Sequence, residues 1–252
     1  MAEIQFILPT EKVPKVTLSP ENLLIYGKPK VGKTSMLAEL EDCLIIDLEQ
    51  GTNKIDALKV QVNSLNELSQ LISVMRRSDK KYRYVAIDTA TQLEQWCEWD
   101  ATWEYMRTPM GKNFNRYEDR VDAKGDLEIL PRSKWESVLT LPKGAGYLYL
   151  RNSFQKWMTM LQTLAPHVIL VAHVRDGSIE VKGKEVATKD VDLTGKLRNI
   201  VAAKSDAVGY VYREDDRLMI SFSSKDGAEG GSRCEHLKNK TMPFQWDQIF
   251  ID

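Results

Sequence analysis

The sequence predicts an α/β protein with a mostly parallel central sheet flanked by helices and closed by antiparallel strands. Three observations predict it. A phosphate-loop pattern, Gly27-Lys28-Pro29-Lys30-Val31-Gly32-Lys33-Thr34, stands between an apolar run at 22–26 and a helical run at 35–40. Two further buried-type strands, 43–47 and 82–88, each end in an acid, Asp47 and Asp88. Late in the chain, 205–212 and 217–222 read as strands of a hairpin turning at 213–216.

The loop comes first because it carries the chemistry. Gly27 and Gly32 allow a tight turn that aims backbone N–H groups at one point, and the helix start adds its positive dipole end. Residues 27–35, through Ser35, are therefore the expected nucleotide contacts. Lys33 is placed for the β- and γ-phosphates and the Thr34 hydroxyl for Mg²⁺, so ATP and Mg²⁺ are the expected cofactors. Asp88 is the expected second partner of the metal, with a plain strand-ending acid as the alternative. Glu49 follows the strand at 43–47 at the carboxyl edge, where ligands of open α/β sheets bind. It is placed to polarise a water, with a solvated turn acid as the alternative.

Bulk composition narrows the class. The 252 residues suffice for one large domain or two small ones. A hydrophobic content of 42% and a charged content of 28% are ordinary for a globular chain. The net charge of −1 excludes a uniformly basic coat but leaves 35 Lys and Arg for a local basic groove. No apolar run reaches the roughly 18 residues of a membrane span, and the start has no signal-peptide pattern. Cys43, Cys97 and Cys234 are far apart and lack metal spacing, so a reduced cytoplasmic compartment is expected.

The remaining elements follow in order. Residues 1–20, with Pro9, Pro14 and Pro20, read as an arm that docks on its own subunit or a neighbour, or as an edge strand. Residues 57–62 alternate as a strand. Ser64 and Glu67 form a capping box ahead of a helix whose stripe is Leu65, Leu68, Leu71, Ile72 and Met75. Residues 92–107 read as a helix whose tryptophans, Trp96, Trp99 and Trp103, are assigned to core or interface. Residues 108–146 lose periodicity and read as an insertion into the core, functional or mobile. It ends in Lys143, Tyr147 and Arg151, where basic groups alternate with tyrosines. That suits a phosphate backbone with stacked bases, or an ordinary helix start with a packed tyrosine. A helix is expected over 152–164. His173 ends a buried strand from 167, placed to sense the γ-phosphate, with a satisfied core histidine as the alternative. The charged loop 175–198 follows, with Lys182, Lys184, Lys189, Lys196 and Arg198. Lys238 and Lys240, two apart on an expected strand, would share one face.

Taken together, the nucleotide loop, the strands ending at Glu49 and Asp88-Thr89, and Lys238-Asn239-Lys240 before Pro243-Phe244 resemble the RecA-type ATPases in their order. The chain is most similar to the small phage-encoded members that act as single-strand annealing recombinases. The likeness covers most of residues 20–252, with His173 where many relatives carry Gln. It implies that Glu49 activates the attacking water. It implies that Lys238 and Lys240 reach a neighbour's γ-phosphate, so that Lys33, Glu49, Lys238 and Lys240 form the catalytic set. The stretches 140–151 and 176–198 would face single-stranded DNA. Partners would be other copies in a ring or filament and a single-strand-binding protein, in a bacterial host's cytoplasm. Two alternatives come from other classes: a kinase using an arginine-rich lid, and an ATP-gated assembly factor that binds no nucleic acid.

Overall fold

A computed structural model describes residues 10–12, 15, 17–181, 184–224 and 227–252. Most of the expected arm and Lys182 lie outside these residues.

β1 (Asn22–Gly27) enters the core directly, with Leu23, Leu24, Ile25 and Tyr26 fully buried. Its neighbours are supplied by β2 (Cys43–Asp47), β3 (Lys59–Gln61), β4 (Tyr84–Asp88), β7 (His167–Val181) and β9 (Ala207–Glu214). These run parallel in the order β3-β2-β4-β7-β1-β9. β10 (Arg217–Ser221) and β12 (Thr241–Pro243) add antiparallel to that edge, and β11 (Gly231–Ser232) pairs with β9. The expected fold class is therefore the observed one. Such a parallel sheet needs cover on both faces, which explains the near-continuous apolar strands.

The two faces carry separate cores. One packs α2 (Leu65–Arg77), α3 (Ala90–Met106), α4 (Gly146–Leu161) and α5 (Leu197–Lys204) around Leu68, Leu93, Phe154 and Val201. The other packs α1 (Lys33–Glu39) and the last residues of the chain, with Leu37, Leu237, Phe244, Trp246 and Phe250. The Trp246 indole N–H donates to Met36 O at 2.6 Å, tying the chain's end to the helix after the loop. Leu18 N–H donates to the Asp252 carboxylate at 3.0 Å. Among the described residues no helix is long and apolar enough to cross a membrane.

Register places the chemistry. Gly27 pairs with His173, Asp88 with Val171, and Asp47 with Asp88. The ends of β1, β4 and β2, and His173 of β7, thus share one edge, as the expectation from their terminal acids required.

Several sequence expectations are corrected. β7 does not stop at His173 but continues to Val181, and β8 (Lys184–Val191) returns against it from Val181↔Lys184 to Val174↔Val191. The charged stretch 175–198 is thus largely a hairpin, not a loop. The insertion is not structureless: β5 (Arg116–Val121) and β6 (Leu127–Ile129) form a hairpin, followed by three single turns of 3₁₀ helix. Val138 anchors it to the body, buried, with its N–H donating to Thr102 Oγ1 at 3.0 Å. A side chain at Gly146 would meet Val138 O at 1.8 Å, so only glycine lets α4 approach there. Lys238 and Lys240 lie in a turn ahead of β12, with Asn239 between them left-handed at φ 57°. A turn of that hand breaks the two-residue alternation that would have put both lysines on one strand face.

The capping box holds in altered form. Ser64 Oγ accepts from Glu67 N at 3.2 Å, while the Glu67 carboxylate takes Asn63 N–H at 2.8 Å. Replacing Ser64 by Ala is expected to cost about 1 kcal/mol, read as a lower urea midpoint with an unchanged slope.

Candidate nucleotide site

Loop geometry begins with β1 and β9. A Cβ at Gly27 would lie 2.3 Å from Val211 O, so glycine is what lets β9 pass beside the start of the loop. Left-handed or extended-positive conformations at Lys30 (φ 61°) and Gly32 (φ 123°) turn the chain into α1. The loop is also held from the neighbouring β9, where Arg213 Nε donates to Val31 O at 3.2 Å. Sequence reading had placed Arg213 in a turn, with no signal of this clamp.

A cavity of about 520 Å³ opens at this edge. It is lined by the loop, by Asp47, Glu49 and Asp88, and by Thr89 and His173. Lys33 is buried, its ammonium donating to Gly27 O at 2.8 Å and Lys28 O at 2.9 Å. Burial pulls that ammonium down to about 8, against the nearby charges of Asp88 and Glu49. The Thr34 hydroxyl donates to Asp88 Oδ2 at 2.7 Å, bringing the two expected metal partners into contact. Burial pushes the Asp88 carboxyl up, the Thr34 hydrogen bond opposes this, and Glu49 and Asp47 add to the rise. A divalent cation here would reverse that balance toward the ionised form.

Glu49 is fixed by two neighbours. Thr89 Oγ1 donates to Glu49 Oε1 at 2.5 Å, and His173 Nε2 lies 3.1 and 3.3 Å from the two carboxylate oxygens. An ionised carboxylate can only accept, so Nε2 carries the proton in this contact. The His173 hydrogen bond holds the Glu49 carboxyl below its ordinary range; burial opposes that shift and the Thr89 hydroxyl adds to it. Thr89 also caps α3, accepting from Gln92 N at 3.2 Å. One hydroxyl thus serves both helix and carboxylate, a role the sequence reading missed, although Thr ahead of a helix is an ordinary capping signal.

Beneath Glu49 lies the buried Asp47. Its carboxylate accepts from the N–H groups of Glu49 (3.0 Å), Gly51 (3.2 Å) and Thr52 (2.9 Å), and from the Thr52 hydroxyl (2.7 Å) and Gln61 amide (3.2 Å). Burial raises its pKa, but these donors together bring it below the ordinary value.

From His173 a polar path leads toward the hairpin. His173 N–H donates to Thr91 Oγ1 at 3.2 Å, and that hydroxyl donates to Asp192 O at 3.3 Å. Thr194 N–H donates to Glu94 at 2.9 Å. Two residues further on stands Lys196, exposed at the head of α5.

The expected DNA-facing residues divide. Lys143 and Lys196 are exposed. Tyr147 sits between Gly144 and Gly195, within 3.3 and 3.4 Å of where their side chains would begin, so it joins the two stretches. Tyr149 packs edge-to-face on Tyr105, the packed-tyrosine alternative, and Arg151 is half-buried on α4. Lys189 is paired with Asp176, and Arg198 with Asp190 at 2.7 Å, which weakens their case as phosphate contacts. Lys184 opens β8. Lys238 and Lys240 are exposed.

A family model described as an AAA domain matches residues 19–234. No curated protein matches the sequence. Among solved structures, the chain is similar to a RadB recombinase, with a TM-score of 0.40 and 11% identity over 81% of this chain and 80% of that one. It is also similar to the KaiC-like protein PH0186 from Pyrococcus horikoshii OT3, with a TM-score of 0.42 and 12% identity over 93% and 88%.

Replacing Asp47 by Ala strands three backbone donors, and a loss of roughly 2–4 kcal/mol is expected. Asp47 and Glu49 both have depressed folded values. Their contribution is therefore complete above the ordinary carboxylate range, about pH 4, and is lost as pH falls through the folded values. Urea unfolding of Asp47→Ala at a series of pH values should show a shallower acid loss than the parent.

Proposed function

The chain belongs to the AAA domain family, and from that premise we propose that it is a Mg²⁺-dependent ATPase working as an oligomer on single-stranded DNA. One observation carries the hydrolytic reading: Glu49 is held by Thr89 and His173 on the same lip as Lys33 and the Thr34–Asp88 pair.

The residues present fit both groups. Thr34 and Asp88 offer hard oxygen donors, the kind that hold Mg²⁺ together with substrate phosphates rather than in an all-protein cage. Mg²⁺ at these oxygens would neutralise charge on the phosphates. Lys33, whose ammonium now rests on two loop carbonyls, can turn outward to the β- and γ-phosphates. Glu49 stays ionised at neutral pH and is a weak base, so its work is to orient and polarise a water for in-line attack. His173 and Thr89 keep its carboxylate from swinging away. Lys238 and Lys240, exposed on a turn, are the cations we assign to the neighbour's γ-phosphate.

DNA binding is assigned to the stretches joined by Tyr147, with Lys143 and Lys196 as the exposed cations. A single-strand-binding protein would be a further partner. The polar path from Glu49 through His173 and Thr91 toward Thr194 gives the reading its coupling. A kinase lid needs arginines free to close on phosphate, and Arg116 donates instead to Leu127 O.

Glu49→Gln is expected to keep ATP binding and lose about 100-fold or more in turnover. Single-stranded DNA should stimulate the parent at low salt and lose that effect as salt rises. Lys33→Ala and Lys238→Ala, each inactive alone, should recover hydrolysis when mixed. No recovery at any ratio would sink catalysis between subunits.

A further inference from the structure

Beside the nucleotide site, α3, the insertion and the start of α2 enclose a second groove of about 600 Å³. The tryptophans assigned from sequence to core or interface line it. Trp96 packs partly against the core, while Trp99, Trp103 and Trp135 face the groove, and Trp103 is 39% exposed. Trp103 and Trp135 lie parallel, 4° apart in plane with centroids at 5.9 Å, forming an offset platform. The Trp135 N–H is tied to Leu130 O at 2.8 Å, which fixes that ring's orientation. The Arg132 guanidinium stands 5.9 Å over Trp99. Gln92 and Gln95 bring amides to the rim.

We infer that this groove is a base-stacking subsite for single-stranded DNA. Every nucleobase has a flat π face, and indole platforms stack on it without sequence preference. Arg132, exposed, offers charge complementarity to the phosphodiester between stacked bases, and amides can donate to and accept from base edges. Asp100 also lines the groove, but its carboxylate accepts from Ser153 Oγ at 2.7 Å on the α4 side. The site is continuous with the DNA-facing stretch already proposed, because the second half of the insertion carries Arg132 and Trp135 before the buried Val138 and Lys143 after it. It also shares the first turn of α3 with the catalytic edge: Gln92, on its wall, is capped by the Thr89 hydroxyl that holds Glu49.

The inference rests on the DNA-binding reading above, and the test separates the two. Oligothymidylate of about 15 nucleotides and an abasic oligomer of equal length are titrated into the intact chain with ATP and Mg²⁺, read by tryptophan quenching and by anisotropy. The parent should bind oligothymidylate more tightly than the abasic strand and be quenched by it. Trp103→Ala should lose roughly tenfold in oligothymidylate affinity and leave abasic binding unchanged. Trp103→Phe should restore part of it, which separates stacking from misfolding. Arg132→Ala should weaken both strands. If the parent binds neither oligomer, the DNA reading and the subsite fall together. If it binds oligothymidylate and Trp103→Ala binds equally well, the subsite alone is overturned. Quenching by a proline-rich decapeptide and not by oligothymidylate would overturn it in favour of a peptide groove.

Discussion

Hydrogen bonds from Glu49, Gly51, Thr52 and Gln61 converge on the Asp47 carboxylate at the carboxyl end of β2. A buried anion is tolerated only when donors replace the water it has lost, and here the donors are mainly the backbone of the following turn. The turn is therefore folded by its own acid. Its fixed shape delivers Glu49 to Thr89, which caps α3, and to His173 on β7. Parallel register then does the rest, because β1, β4 and β2 end and His173 lies along a common line. Thr34 can reach Asp88 only because β7 alone separates β1 from β4.

What could be read in the sequence was whatever leaves a local trace. The glycines at 27 and 32, the apolar strand runs and their terminal acids are local, and each landed where expected. The β7–β8 hairpin left a weaker trace, the alternation of Ile179, Val181 and Val186 about Gly183 among many charges. Its outer part lies beyond the sheet's cores, so nothing selects an apolar run there, and Arg175, Asp176, Lys189 and Asp190 look like loop residues. The β5–β6 hairpin is masked for the same reason: Arg116–Val121 is almost wholly polar and largely exposed. Arg213 and Thr89 act through contacts that join distant parts of the chain, and a single sequence does not display those.

The tryptophans show a different limit. Helical spacing in α3 assigns its tryptophans to core or interface without choosing between them, because that helix carries apolar side chains on more than one face. Leu93 and Cys97 pack into the core on the sheet, while Trp99 and Trp103 line the groove beside the insertion. Periodicity names a face and not what covers it. The covering element, an insertion with little apolar pattern, had to be in place before the groove could exist. Val138, wedged between Thr102 and Gly146, is the small contact that makes the insertion part of the body.

β7 has a mechanical consequence. It is one uninterrupted strand of 15 residues that begins inside the sheet, between β4 and β1, and leaves it beyond His173. From His173 to residue 181 the strand extends about 26 Å at the usual rise. The imidazole sits where an oar meets its rowlock. A rotation of about 5° at that fulcrum sweeps the outer end by roughly 2 Å over such a span, so motion too small to disturb the sheet becomes a displacement large enough to be felt by whatever rests against the blade.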